Sequence, residues 1–265
     1  MNPRVHYLLE IDAQSLLDAS PSAPVWVAKS LAAAPFVVVR RGFPTQRLLP
    51  IGVRGAERNH RWAGMCDLSW IKDAFSPAEL MSRITSASLA RSAAACASAP
   101  AVTPAAACAS ASTGPSAAPP ISGATALDRV AAPVLPSARV QAIPALRSLV
   151  SLASNETWQA FPQPWGPGGS VGFELATGRD TATPQSDLDV VIYADERLSA
   201  QEAKCLLAAT QHLASIVDVR VETPVCGFSL TEYASQTPAP ILLRTASGPL
   251  LGADPWDGAP AASPP

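Results

Sequence analysis

The sequence is poor in charged and aromatic residues, and its charges nearly cancel. Charged residues make up 15% of the 265 positions and aromatic residues 6%, with 19 basic side chains against 21 acidic ones. A formal net charge of −2 gives no bulk attraction to nucleic acid or to an anionic membrane surface. The sequence also lacks a run of about 20 strongly apolar residues, which a membrane-spanning helix requires. These absences predict a protein that binds neither nucleic acid nor membrane.

Cysteines are few, and their spacing matches neither a disulfide framework nor a zinc site. The chain has five, none in a Cys-x-x-Cys pair, and an odd number fits no closed set of disulfides. Near the N-terminus, Glu10 falls where a secretory signal would keep its apolar run. We therefore expect a cytoplasmic location, where thiols stay reduced, and no structural zinc.

Alanine and proline, in contrast, are abundant and concentrated in one tract. The forty residues from Ser86 to Thr125 contain sixteen Ala, eight Ser and five Pro, with Arg91 as the only charge. Such a composition buries too little apolar surface to offset the entropy of ordering, which predicts a disordered linker. Whether the tract is a loose tether or an ordered cover stays open. The predicted organisation is an N-terminal domain at 1–85, a linker at 86–140 and a catalytic domain at 141–265.

The run from Pro167 to Gly178 is rich in glycine and predicts a tight turn that leads into a short helix ending at Gly178. Glycine lets the backbone approach a ligand closely, and free N–H groups at a helix start hold phosphate oxygens well. Gly169 and Ser170 are therefore candidates for phosphate binding. The run is not a Walker loop, because no Lys-Ser or Lys-Thr follows, and it lacks the Gly-x-Gly-x-x-Gly spacing of dinucleotide-binding proteins.

A strand with two aspartates follows this turn. Leu188 and alternate residues after it are apolar, so Asp187 and Asp189 are expected to project together from the opposite face. Two adjacent carboxylates repel each other unless a cation neutralises them, and oxygen ligands of this kind suit Mg²⁺. An EF-hand is excluded, because Val191 and Ile192 stand where its polar ligand and glycine should be.

A third acid is needed if the site is a two-metal phosphoryl-transfer site. Ser199 and Glu202 form a capping box that predicts a helix running to about Ser215. After it, the segment Val217 to Val221 predicts a strand with alternating valines, on which Asp218 faces away from the core. We expect Asp218 to lie beside the first two aspartates, with Glu222 as the substitute candidate. The alternative, a half-exposed strand with ordinary charges, stays open.

This order of glycine-serine turn, helix, Asp-x-Asp strand, helix and acid-bearing strand resembles the polymerase-β-type nucleotidyltransferase fold. At closer range the sequence resembles the phosphoribosyl-dephospho-CoA transferases, the holo-acyl-carrier-protein synthases of malonate decarboxylase. The implied fold class is α+β, with a mixed-sheet C-terminal lobe and a smaller α/β N-terminal lobe joined by the disordered linker. The resemblance is carried by residues 169–178 and 186–189, and further by 40–41, 49–55, 217–219, 222–224, 242–245 and 254–256.

The resemblance implies transfer of a phosphoribosyl-dephospho-CoA group from its triphosphoribosyl precursor to a serine of the apo acyl-carrier-protein subunit of malonate decarboxylase, with release of diphosphate. Mg²⁺, or Mn²⁺ in its place, would be held by Asp187 and Asp189. Asp218 would complete a second metal position or accept the proton of the attacking hydroxyl. Gly169 and Ser170 would bind the outer phosphates. One departure is Val5-His6-Tyr7, where the family tends to have Arg-His-Asp.

Arginines cluster in the first lobe, and arginine suits phosphate because its planar fork donates parallel hydrogen bonds. Between residues 40 and 61 six arginines stand against one acid, Glu57. We select Arg54 and Arg61 as substrate-binding residues, although a solvated basic surface is the alternative, and Arg244 through the resemblance. Two other functions stay open: a nucleotidyltransferase that modifies another protein or RNA with ATP or another nucleoside triphosphate, and a carrier-binding module without catalysis. The six arginines are residues 40, 41, 47, 54, 58 and 61.

Overall fold

The computed structural model of the chain describes residues 3–57, 59–84, 135–235 and 240–257. The alanine-rich tract at 86–125 and Arg58 lie outside the described residues. Two β-sheets with helices packed on them make up the described structure, which confirms the α+β class. Every helix in these segments is too short or too polar to cross a lipid bilayer.

The N-terminal lobe is a five-stranded antiparallel sheet with two helices on one face. Alternating β-branched and leucine residues build this arrangement, because every second side chain of a strand faces the helices. Val37 and Val39, for example, are buried with Ile51 in the core beneath the helices. The strands, in the order β4-β3-β2-β1-β5, are β1 Leu8–Ile11, β2 Phe36–Val39, β3 Leu48–Arg54, β4 Arg61–Asp67 and β5 Ile71–Phe75, and the helices are α1 Ala13–Asp18 and α2 Val25–Ala33.

The C-terminal lobe is a six-stranded sheet, and it is mixed as predicted. Within the described residues, β7 and β8 run parallel while their neighbours pair antiparallel. The strands, in the order β11-β10-β9-β8-β7-β6, are β6 Trp165–Pro167, β7 Leu188–Tyr193, β8 Val217–Glu222, β9 Gly227–Ser229, β10 Ile241–Thr245 and β11 Gly248–Gly252. The helices are α3 at 77–84, α4 Ser137–Ala142, α5 Pro144–Ala153, α6 Glu156–Ala160, α7 Gly169–Thr177, α8 Ala200–Ala208 and α9 Leu230–Ser235.

The two lobes are packed against each other. The outer face of the N-terminal sheet contributes Leu8 to the larger hydrophobic core, and Phe36 packs edge-on against Phe173 of α7 with ring centroids 6.2 Å apart. Arg4 adds a bidentate ion pair with Asp195 at 2.7 and 2.9 Å. The strand faces that carry the candidate site residues are therefore covered in part by the first lobe.

Three segment boundaries differ from the sequence-based expectation. Helix α3 at 77–84, predicted in the N-terminal domain, packs in the core of the C-terminal lobe. Residues 135–140, placed in the linker, belong to the folded C-terminal lobe, where Leu135 and Val140 are buried. Helix α8 begins with the predicted Ser199 capping box but ends at Ala208 rather than near residue 215. The Thr210 hydroxyl donates to the Leu207 carbonyl at 2.7 Å, so a side chain satisfies the helix end where the next turn would begin.

Candidate active site

Asp189 and Asp218 lie side by side on the two parallel strands. Their Cα atoms are register partners in the β7–β8 ladder, and Val190 and Val219, next in each strand, are fully buried on the opposite face. Because strand side chains alternate, both carboxylates share the face that looks toward the N-terminal lobe. The structure thus brings together two of the three predicted acids.

Asp187 is more exposed than either member of this pair. It is exposed and lies one residue before β7 begins. In addition, Nη2 of Arg220 contacts Oδ2 of Asp218 at 2.8 Å, so that carboxylate already has a cationic partner. In the described segments no three His, Cys, Asp or Glu side chains are grouped so that they can hold a metal ion. The three aspartates supply the oxygen donors that Mg²⁺ prefers, but they are not assembled as a finished ligand set.

The electrostatics of Asp189 favour a cation. Burial and the neighbouring charge of Asp218 raise the pKa of the Asp189 carboxyl, while Arg54, Arg220 and His6 act in the opposite direction. Ionised Asp189 is therefore less stable in the folded protein than in water, and a bound cation would offset this difference.

Gly169 and Ser170 begin α7 directly beside Asp189. Gly169 has φ +55°, and a Cβ placed there would overlap the Asp189 carboxylate. The Gly168 amide also donates to the Asp189 carbonyl at 2.9 Å, which ties the turn to β7. The helix ends at Gly178 with φ 70°, the predicted left-handed cap. The start of α7, with its free amides, thus adjoins the aspartate pair.

A buried carboxylate that the sequence reasoning missed holds this region together. Glu174 on α7 is 0% exposed and accepts two hydrogen bonds from Arg139, at 2.8 and 2.9 Å. The amides of Thr181 and Ala182 donate to the same side chain at 2.9 and 2.8 Å. Helix α4, helix α7 and the loop that leads to β7 are therefore joined at one point. The sequence signal was an acid inside an otherwise apolar helix.

The predicted arginines occupy different places. Arg54 ends β3 close enough to influence the charge of Asp189, and Arg61 is its cross-strand partner, so two like charges stand opposite each other. Both side chains are exposed, and an anion bound between them would relieve their mutual repulsion. Arg244 lies on β10 opposite Gly227, where a Cβ would crowd Glu222. Arg244 is thus nearer to the Glu222 end of the sheet face than to the end of Asp189.

Three further side chains meet on this face: His6, Arg41 and Glu222. Glu222, at the end of β8, forms an ion pair with Arg41 and contacts Nε2 of His6 at 2.9 Å. Glu222 is buried, with 8% of its side chain exposed, so it joins the lobes rather than serving as a third carboxylate beside Asp189. The sequence reasoning singled out neither His6 nor Arg41 as a site residue.

Comparison with known proteins identifies similar sequences across both lobes. Residues 4–77 match the family described as phosphoribosyl-dephospho-CoA transferase MdcG N-terminal domain, and residues 129–255 match the corresponding C-terminal domain. A phosphoribosyl-dephospho-CoA transferase of Klebsiella pneumoniae (strain 342) is 30% identical over 255 residues, covering 96% of each chain. Those of Azotobacter vinelandii and Pseudomonas aeruginosa are 29% and 28% identical, over 96% and 89% of this chain and 94% and 86% of theirs. No solved structure gave a significant match.

Proposed function

Because this chain belongs to the phosphoribosyl-dephospho-CoA transferase family, we propose that it loads the acyl-carrier-protein subunit of malonate decarboxylase with its prosthetic group. It is a transferase of the nucleotidyltransferase type. The donor is 2′-(5-triphosphoribosyl)-3′-dephospho-CoA, the acceptor is a serine of the carrier, and diphosphate is the leaving group. The observation that carries the proposal is the Asp189–Asp218 pair beside the start of α7, faced by arginines of the first lobe.

The reaction is an in-line displacement at the phosphorus next to the ribose. The serine oxygen forms a new bond to this phosphorus, and the bond to diphosphate breaks with its electron pair going to the leaving group. Negative charge therefore accumulates on the phosphoryl oxygens. The free amides of α7 at Gly169 and Ser170, together with Arg54 and Arg61, supply donors and positive charge for the outer phosphates. Fixed groups of this kind lower the barrier because they need no reorganisation during the reaction.

The proposed cofactor is Mg²⁺, with Mn²⁺ as a substitute. Asp189 and Asp187 would hold the ion. Asp218 would join them if its ion pair with Arg220 were replaced by a contact with the metal. When bound, the ion would neutralise charge on the triphosphate. The support for this assignment is the oxygen chemistry of the three side chains and the raised pKa of Asp189.

Transfer is tested by incubating the protein with Mg²⁺, the apo carrier and either triphosphoribosyl-dephospho-CoA or a nucleoside triphosphate. We expect the carrier mass to rise by the prosthetic group only with the first donor, together with diphosphate release. Modification of the carrier or of RNA by a nucleoside triphosphate, without use of the first donor, would contradict the proposal.

Arg54→Gln is expected to raise the KM for the donor about 10-fold by removing a phosphate contact, whereas Lys29→Gln on exposed α2 leaves it unchanged.

Gly169→Ala is expected to lower the transfer rate about 100-fold, because the added Cβ displaces the Asp189 carboxylate from its place. Gly248→Ala is the matched control: its φ of +124° brings the same kind of backbone strain, but nothing lies within 4 Å of the added Cβ. Initial rates of diphosphate release and melting temperatures separate the two effects. Equal rates for both variants would contradict the proposed role of the turn.

A further inference from the structure

The backbone of His6 is held in an unusual conformation at the point where the lobes meet. Among the described residues it is the only non-glycine residue with positive φ, at 71°. Two hydrogen bonds hold the segment: the His6 amide donates to the Val39 carbonyl at 2.9 Å, and the Tyr193 hydroxyl donates to the Val5 carbonyl at 2.7 Å. Such strain persists only where the surrounding structure over-determines it, and it concentrates at functional sites.

The contact with Glu222 determines which nitrogen of the His6 ring carries the proton. Nε2 lies 2.9 Å from Oε1 of Glu222, and the same carboxylate forms an ion pair with Arg41. An ionised carboxylate only accepts hydrogen bonds, so in the neutral ring Nε2 is the donor. Nδ1 then carries a lone pair and is the proton-accepting atom. A buried acid also orients the histidine of Ser-His-Asp triads, but there it holds Nδ1 and Nε2 is the base.

Charged groups from three elements surround this ring. Asp189 comes from β7, Arg220 and Glu222 come from β8, and Arg41 follows β2. Burial, with the charges of Arg41 and Arg220, lowers the pKa of the His6 imidazole to about 4, while Asp189 acts in the opposite direction. The ring is therefore neutral at pH 7, so Nδ1 keeps its lone pair. It keeps 32% of its side-chain surface exposed, so it is not sealed from a substrate.

We propose that His6 accepts the proton of the attacking serine hydroxyl, with Glu222 as the residue that positions its ring. This inference rests on the proposed function. As the serine oxygen bonds to phosphorus and diphosphate leaves, the hydroxyl proton moves to Nδ1 and passes to solvent when the loaded carrier departs. Asp218, the other candidate, already forms an ion pair with Arg220 at 2.8 Å. The first lobe then contributes a reacting group as well as phosphate-binding charge.

The test is removal of the imidazole without disturbing the backbone. Glycine adopts positive φ without strain, so His6→Gly keeps the local conformation while it deletes the ring. We expect kcat to fall by roughly 10²–10³-fold, the usual contribution of a general base, with the KM for the donor unchanged. Added free imidazole should restore part of the rate in proportion to its neutral form. The control His212→Gly, at an exposed turn position, should keep the wild-type rate and show no response to imidazole.

The outcomes distinguish this inference from the proposed function. If the wild-type protein does not load the carrier from triphosphoribosyl-dephospho-CoA, the proposed function fails. If the wild type loads the carrier and His6→Gly is equally fast, or is slow without any response to imidazole, the role of His6 is overturned. Thermal unfolding of both glycine variants shows whether a rate loss reflects loss of the fold.

Discussion

Asp189→Asn is expected to lower the kcat of transfer roughly 10³-fold or more and, at the same time, to raise the melting temperature at neutral pH. The loss of activity follows from removing a carboxylate of the proposed metal site, which supplies several kcal/mol of charge stabilisation. The gain in stability follows from the raised pKa of Asp189, which burial and the charge of Asp218 cause. An ionised carboxylate whose folded pKa is raised destabilises the folded protein, and asparagine removes that destabilisation.

The pH dependence of the unfolding free energy tests the stability part of this prediction separately. Above the folded pKa of Asp189, the ionised carboxylate lowers the stability of the wild type by its full amount. Below the unfolded pKa, Asp189 is protonated in both states and has no such effect. The stability difference between Asp189→Asn and the wild type should therefore be largest at neutral pH and shrink as the pH falls through those values. Asp18→Asn, exposed on α1, is the matched control and should change neither activity nor this profile. Equal transfer by Asp189→Asn and the wild type would remove the basis of the proposed mechanism.

Arg139→Ala is expected to destabilise the C-terminal lobe by about 3–5 kcal/mol, because it leaves the fully buried Glu174 carboxylate without its cationic partner. Lys204→Ala, on the exposed side of α8, also removes one positive charge but should change the free energy of unfolding by less than about 0.5 kcal/mol. Denaturant titration at neutral pH measures both. A loss for Arg139→Ala no larger than for Lys204→Ala would show that the ion pair does not hold α4 and α7 together.

Acid should reproduce part of the Arg139→Ala effect in the wild type. Burial alone would raise the pKa of Glu174, but the hydrogen bonds from Arg139 and from the amides of Ala182 and Thr181 hold it below its ordinary value. A group with a lowered folded pKa stabilises the protein above its unfolded pKa, and this contribution is lost as the pH falls through the folded pKa. Wild type and Arg139→Ala should therefore become more similar in stability under acidic conditions.

Local patterns in the sequence were sufficient for the elements that carry the aspartates. The alternation around Leu188 and Val219 predicted β7 and β8, and the structure pairs them with Asp189 beside Asp218. The Ser199 capping box and the left-handed cap at Gly178 were also confirmed. These features depend on the alternation of side chains along a strand and on the backbone freedom of glycine. Both involve only a few neighbouring residues and can be read from the sequence.

The residues that complete the site were decided by packing between segments far apart in the chain. His6 and Glu222 are 216 positions apart, and Arg139 meets Glu174 only because α4 packs on α7. Glu222 likewise binds Arg41 and His6 of the first lobe, whereas Asp218 pairs with Arg220 two residues further along the same strand. The sequence by itself determined which strands present acids. Only the tertiary structure decided the partners of Glu174 and Glu222, because burial and long-range charge depend on which surfaces meet.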